Sequence, residues 1–294
     1  MAYGIMERRI FKFGKNSVAL IIPKKWSDKT GLMPGNLVSL EEDSYGNLIV
    51  SKSAYAKKEF EIDISKGTKP ELLGRWIGLS YMYGMQKLRV YSSDGIAAEQ
   101  VKAVADKVRD ECSGFEITSQ SNNDMIIEGF TDINDVDIER VMSRIMALVS
   151  QEYVELGQNT VEAVHGIEKL VNRFYMLGIR YINITQAKDS TTYFAALNLL
   201  EDISDKLDEM SAKNLKGASG AISQLGEAFA LCHKAFDGDM DSIDKVFAIK
   251  DKILKGLQHS SIGGEASALI ASVAYSISNI AEFGLMKERN ILQG

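Results

Sequence analysis

Cysteine is scarce in this chain: Cys112 and Cys232 are the only two in 294 residues, and neither has a neighbour at CxxC or metal-ligand spacing. That pattern excludes a disulfide framework and fits reduced, unpaired thiols. Cys232 adjoins His233, but successive positions on a helix point about 100° apart, so a core cysteine is expected there. Proline is equally sparse. Pro23, Pro34 and Pro70 all fall in the first 70 residues, leaving the rest free of that helix breaker and open to long helices. No apolar run approaches the roughly 20 residues of a membrane span. The opening MAYGIMERRIFKF lacks the hydrophobic region of a secretory signal, so a cytoplasmic location without membrane insertion is expected. Catalytic signatures are missing too. Gly263-Gly264 is followed by Glu265 instead of the Lys-Ser/Thr of a phosphate loop, and Gly217-Ala218-Ser219-Gly220 reads as a helix connection. His165, His233 and His259 lie far apart, none with a carboxylate or cysteine placed for a recognisable dyad. The chain is not expected to be an enzyme.

What is present begins with an uneven charge. Residues 1–58 hold ten Lys+Arg against five acidic residues, a balance of +5, while the whole chain stands at −6 and the remainder therefore at −11. A basic end on an acidic body points to a polyanion approached only by that end. The plainer reading is a solvated basic strand pair.

Within that end, Arg8–Phe13 and Ser17–Ile22 are β-rich runs separated by Gly14-Lys15-Asn16, a hairpin signature. Pro23 suits the first position of a short helix, where its missing N–H needs no partner. Leu32-Met33-Pro34-Gly35-Asn36 stops that helix, and strands at Leu37–Glu41 and Asn47–Val50 flank a turn at Tyr45-Gly46-Asn47. Four short strands and one helical turn cannot bury a core alone, so the module must dimerise.

From residue 58 to 134 strands and helices alternate: strand Glu59–Ile64, helix Lys69–Tyr83, strand Lys87–Tyr91, helix Ala97–Glu111, and a hairpin of Phe115–Gln120 with Met125–Phe130. This is a small α/β sandwich whose order resembles ferredoxin-like domains, a fold that hosts too many functions to indicate one. From Asp135 the period turns helical. Six helices are expected near 136–159, 162–186, 190–213, 217–237, 240–258 and 263–290, lengths that suit two three-helix bundles in tandem.

Three stretches carry family resemblances. Gly14–Ser17, VALIIPKKW at 18–26 and Gly31-Leu32-Met33-Pro34-Gly35-Asn36 resemble the AbrB family of swapped-hairpin DNA-binding domains. Leu200-Glu201-Asp202-Ile203-Ser204-Asp205 and Ser278-Asn279-Ile280-Ala281-Glu282 are similar to the repeated signature of PhoU-like phosphate-uptake regulators. Joined through a middle α/β segment, they resemble archaeal phosphate-uptake regulators. The expected architecture is then multidomain α+β: a swapped-hairpin β module at 1–55, a small α/β sandwich at 56–134 and PhoU-like tandem three-helix bundles at 135–294.

The AbrB-like resemblance implies a homodimer that sets its first hairpins on double-stranded DNA, with Arg8, Arg9, Lys12, Lys15, Lys24 and Lys25 as the DNA-binding side chains. The PhoU-like part implies a sensor or relay in phosphate homeostasis. Alternatively it is an adaptor acting on a phosphate transporter or signalling partner, with the β module only dimerising. A third use of the AbrB-like fold, the antitoxin, is disfavoured because its tail is usually disordered whereas Asp135–Gly294 is patterned helix. No cofactor follows from the residues themselves. In the PhoU-like family each bundle pairs two E-x-x-x-D stretches able to hold a divalent metal or iron. Here Glu201 and Asp205 are present with Glu168, but Asn172 replaces an expected Asp. The matching positions of the second bundle read Phe247, Asp251, Ala271 and Tyr275. Any ion is expected among Glu168, Glu201 and Asp205, and none in the second bundle.

Overall fold

In the computed structural model, which describes residues 7–42, 46–51, 59–65, 67–185, 189–213, 217–260 and 262–288, the chain separates into two units, Met1–Ala56 and Lys57–Gly294.

The first unit holds hairpin β1 (Ile10–Phe13) with β2 (Ser17–Leu20), helix α1 (Lys24–Thr30), and hairpin β3 (Ser39–Glu42) with β4 (Leu48–Ser51). Both pairs are antiparallel, with Phe11 opposite Ala19, Lys12 opposite Val18 and Leu40 opposite Val50. Pro23 stands one place earlier than expected, as the residue before the helix, where its extended backbone directs the chain into α1. Gly31 ends the helix at φ 65°, a left-handed conformation that a side chain would strain. The Asn36 side chain then accepts the Met33 N–H at 2.9 Å, closing the turn after α1. The expected turn at Tyr45 lies outside the described residues, as do Lys52, Lys57 and Lys58. Each hairpin forms its own two-stranded sheet, and no described side chain of this unit is buried.

The second unit begins with strand β5 (Glu59–Asp63), helix α2 (Pro70–Met82), strand β6 (Lys87–Tyr91), helix α3 (Ala98–Glu111) and hairpin β7 (Phe115–Gln120) with β8 (Asp124–Gly129). Pro70 occupies the first turn of α2, where it removes no helix bond. The sheet runs β5-β6-β8-β7, with β5 and β6 parallel and the other neighbours antiparallel. This β-α-β-α-β-β order departs from the β-α-β-β-α-β order of ferredoxin-like domains, so that resemblance does not extend to the topology. Leu73 and Ile77 from α2, Val104 from α3, and Leu88, Val90, Met125 and Ile127 from the sheet are fully buried in one core.

Six helices complete the unit: α4 (Ile138–Gly157), α5 (Val161–Thr185), α6 (Ser190–Ser211), α7 (Ser219–Phe236), α8 (Met240–Gln258) and α9 (Gly264–Glu288). Asp137 starts α4 by accepting the Glu139 N–H at 3.0 Å, and Asp239 starts α8 by accepting the Ser242 N–H at 3.0 Å. Helices α4, α5 and α6 pack together, as do α7, α8 and α9, and the two bundles join through α4 with α7 and α6 with α9. Helix α9 is long and apolar enough, by length and composition, to cross a membrane, which corrects the expectation that no run approaches that length. Half of that stretch is buried within the protein, and Gly284 lies so close to α7 that an added Cβ would sit 1.8 Å from the Ala235 carbonyl oxygen. That is how a core helix behaves.

The sandwich and the bundles expected as separate domains fall within one unit. Arg180 of α5 joins them. Its Nη1 donates to the Tyr81 and Met85 carbonyls at 2.5 and 3.0 Å, and its guanidinium lies 4.8 Å from the ring centres of Tyr81 and Phe115. It is 3 % exposed, and burial pulls its pKa below the ordinary arginine value.

Candidate functional site

Arg8 and Arg9 lead directly into β1, Lys12 stands on that strand, and Lys15 sits in the tight turn beyond it; all four side chains are exposed. Lys24 and Lys25 form the first turn of α1, also exposed. Cations at a helix N-terminus oppose the helix dipole, and that turn holds no acidic residue to offset them. Their position therefore does nothing for α1 and leaves two ammonium groups available to an external anion.

Around these charges the apolar side chains are exposed on both faces of both hairpins. Phe11 is 50 %, Phe13 70 %, Val18 66 % and Leu37 91 % accessible, with Ile10, Leu20, Ile21, Leu40 and Leu48 each above half. So many large apolar side chains left exposed together are unusual on a folded surface.

In the first bundle the structure brings together carboxylates that are far apart in sequence. Glu168 accepts a hydrogen bond from the Asn172 side chain, so the residue standing in place of an expected Asp is tied to its neighbour one turn away. Burial first, then Asp205 and Asp208, raise the Glu168 pKa. Glu201 is pushed up to about 7 by burial, then by Asp205, Asp202 and Glu168, and Asp205 rises through burial and Asp202. The group expected to ligate a metal thus consists of partly buried, mutually repelling carboxyls. Among the described residues, no three His, Cys, Asp or Glu side chains are gathered so that they could hold a metal ion.

Sequence reasoning missed the most perturbed member. Glu152 of α4 is fully buried; its Oε1 accepts the Ser204 hydroxyl at 2.6 Å, while Oε2 has no partner among the described residues. Burial is the main cause lifting its pKa to about 8, opposed by the Ser204 hydrogen bond and reinforced by Glu168, Asp208 and Asp205. Near neutral pH this favours its protonated form. A signal existed in the sequence, because Glu152 falls on the same helical face as Ile145, Val149 and Leu156, where an apolar residue belongs.

The second bundle is built differently at the matching positions. Lys250 places its ammonium 5.0 Å from the Phe247 ring centre and 5.9 Å from that of Tyr275, and 3.5 Å from Asp251. The chain supplies its own cation there.

Two histidines are better partnered than the sequence indicated, which corrects the expectation of no dyad. His165 Nδ1 lies 3.3 Å from Asp208 Oδ2. His233 Nδ1 lies 3.2 Å from Asp237 Oδ2, and its Nε2 lies 3.1 Å from Ser143 Oγ. The partners stand 43 and 90 residues away in the first and last of these pairs, beyond the reach of spacing rules. Ser143 lies inside α4, where the backbone N–H groups around it are engaged in helix bonds and cannot form an oxyanion hole. The arrangement orients side chains on the surface, and the helix backbone around Ser143 offers no free N–H.

No family model matches this chain, and no curated protein or solved structure matches it.

Proposed function

We propose that this protein is a dimeric DNA-binding regulator of transcription, acting in the cytoplasm in phosphate uptake or homeostasis, with its helical part serving as sensor or relay. The observation that carries the reading is the N-terminal unit: a set of hairpins with every described side chain at least partly exposed, basic residues interleaved, on a chain otherwise strongly acidic. Dimerisation covers the apolar residues, and the two-fold arrangement sets both copies of Arg8, Arg9, Lys12 and Lys15 against neighbouring turns of duplex. Counterion release then supplies affinity, while the acidic remainder stays clear of the phosphates. The link to phosphate rests on the Leu200–Asp205 and Ser278–Glu282 resemblances alone.

A second reading keeps the dimer and drops the DNA. Covering the apolar faces satisfies the first unit by itself, so the body could serve as an adaptor for a phosphate transporter or signalling component. Binding of labelled genomic duplex fragments to the intact chain separates the two. The regulator reading expects retention of duplex that is abolished in Val18→Asp, and an intact dimer that retains no duplex at low salt would contradict it. A divalent metal or iron among Glu168, Glu201 and Asp205 is a subsidiary part of the proposal that rests on the family resemblance, since these three are not gathered as a metal site among the described residues. Metal analysis of the untagged protein tests it, and stoichiometric metal that survives Glu201→Gln with Asp205→Asn contradicts it.

A further inference from the structure

Strand β5 lies at the edge of its sheet, and no described strand pairs with its outer side. The Ile64 N–H donates inward to the Tyr91 carbonyl at 2.9 Å. By strand alternation the main-chain groups of Glu59, Glu61 and Asp63 therefore face outward. Beside this edge runs a groove of about 400 Å³ between β5 and α2, lined by Phe60, Ile62, Trp76, Leu79, Tyr83 and Met85. Phe60 is 46 %, Leu79 47 % and Tyr83 63 % exposed. On α2 and the residue that ends it, Leu72, Trp76, Leu79 and Tyr83 recur at helical spacing as a second apolar stripe, about 100° around the helix from the one holding Leu73 and Ile77 in the core. An apolar groove alongside an open strand edge is the geometry that accepts an added strand.

Charge specifies what that strand carries. On the sheet face away from α2, Glu59 and Glu61 of β5 stand opposite Lys87 and Arg89 of β6, and Lys87 in turn stands opposite Glu128 of β8. Ion pairs follow this order: Arg89 to Glu61 at 3.2 Å, Arg89 to Asp124 at 2.5 Å and Lys87 to Glu128 at 3.3 Å. The rows run acidic, basic, acidic, so a strand beside β5 continues the order only if it is basic on that face. A second copy of β5 fits poorly. Antiparallel pairing about Glu61 would set Glu61 against Glu61 and Glu59 against Asp63.

We propose that β5 and the α2 groove bind an extended peptide segment of a partner protein, with lysine or arginine alternating with apolar residues. The basic side chains stand beside Glu59, Glu61 and Asp63, the apolar ones enter the groove over Trp76 and Leu79, and the backbone pairs with the open edge. This is independent of DNA binding. The test uses the full chain and a labelled, capped peptide of alternating lysine and valine, with a glutamate–valine peptide and a sequence-scrambled lysine–valine peptide as controls. The alternating basic peptide should bind and the controls should be weaker by about tenfold or more. Glu61→Pro removes an outward N–H and leaves the main-chain bonds to β6 in place while giving up the Glu61–Arg89 ion pair, and Leu79→Asp charges an exposed groove position; each should weaken binding by about tenfold or more with the circular dichroism spectrum unchanged. Equal binding of the scrambled peptide, or undiminished affinity in a folded Leu79→Asp protein, overturns the proposal. So does loss of self-association in Leu79→Asp, which would make a second copy the occupant.

Discussion

The two units of this chain use the same kinds of apolar residue to opposite effect. In Lys57–Gly294, Leu, Ile and Val side chains such as Leu73, Leu88, Ile145, Leu200 and Ile277 are wholly removed from water. In Met1–Ala56, side chains as large as Phe13 and Leu37 remain 70 % and 91 % exposed. The difference lies in how many elements share a core. Six long helices and a sheet backed by two more close on themselves, while two separate hairpins and a seven-residue helix have too little surface to do so. One unit carries its stability within a single chain. We propose that the other finds it in a second copy.

The sharpest way to break this contrast is a charge at the first unit's apolar face. An Asp at Val18 or at Ile21, one of which faces the shared core of the proposed dimer, should abolish dimerisation and unfold residues 1–56, because that core would hold an unpaired carboxylate, at a cost of several kcal/mol. Sedimentation should show a monomer whose helical circular dichroism is nearly unchanged, since the helices of the second unit stay folded. A dimer that persists would place the interface elsewhere.

A smaller effect is expected from the reciprocal change. Leu200 is fully buried among the bundle helices, so Leu200→Ala should lower the stability of the second unit by about 2–5 kcal/mol without altering the dimer. Denaturant unfolding followed by helical signal, with sedimentation alongside, measures both. Dissociation of the dimer in this variant would couple the units and remove the distinction.

The smallest expected effect, taken per pH unit, concerns pH and belongs to the second unit alone. Glu152 holds its proton in the folded state to about pH 8, against an ordinary value of 4.5, so between those values the folded chain binds a proton that the unfolded chain has released. Its contribution to stability therefore declines as pH rises through that window, by roughly 1.4 kcal/mol per pH unit for one proton. Glu201, raised to about 7, acts in the same direction. Glu152→Gln keeps the shape without the titration, so it should flatten the decline and leave the variant more stable than the wild type above pH 8. Denaturant midpoints at acidic, neutral and alkaline pH decide this; an unchanged slope would move the buried proton to another group.

Local order was largely legible in the sequence. The helices after Asp135 begin and end within a few residues of their expected positions, because Asp137 and Asp239 cap them and the chain there holds no proline. The hairpin around Gly14 was equally plain, while the helix expected to stop at Leu32–Asn36 ends just before, at Gly31. Pairings across the chain were not. Nothing local told that β5 would run parallel to β6, that Arg180 would reach back to Tyr81 and Met85, or that Ser143 would meet His233 across 90 residues. The carboxylates Glu168, Glu201 and Asp205 were found from family resemblance and, for the last two, their one-turn spacing, but the crowding of Glu168 and Asp205 with Glu152 depends on three helices packing side by side. The exposed stripe on α2 is visible as a spacing of residues, yet it acquires a meaning only beside the open edge of β5.

Whether the first unit holds DNA through its basic hairpin is the central question. Affinity for duplex DNA should be measured across a range of salt concentrations for the wild type and for a variant with Arg8, Arg9, Lys12 and Lys15 all changed to Ala. Every phosphate left without its cationic partner should reduce the slope of log affinity against log salt by about 0.9. The predicted result is a variant that remains a folded dimer, binds every sequence more weakly and shows a slope flatter by several units. An unchanged affinity and slope in that dimer would contradict DNA binding through this hairpin.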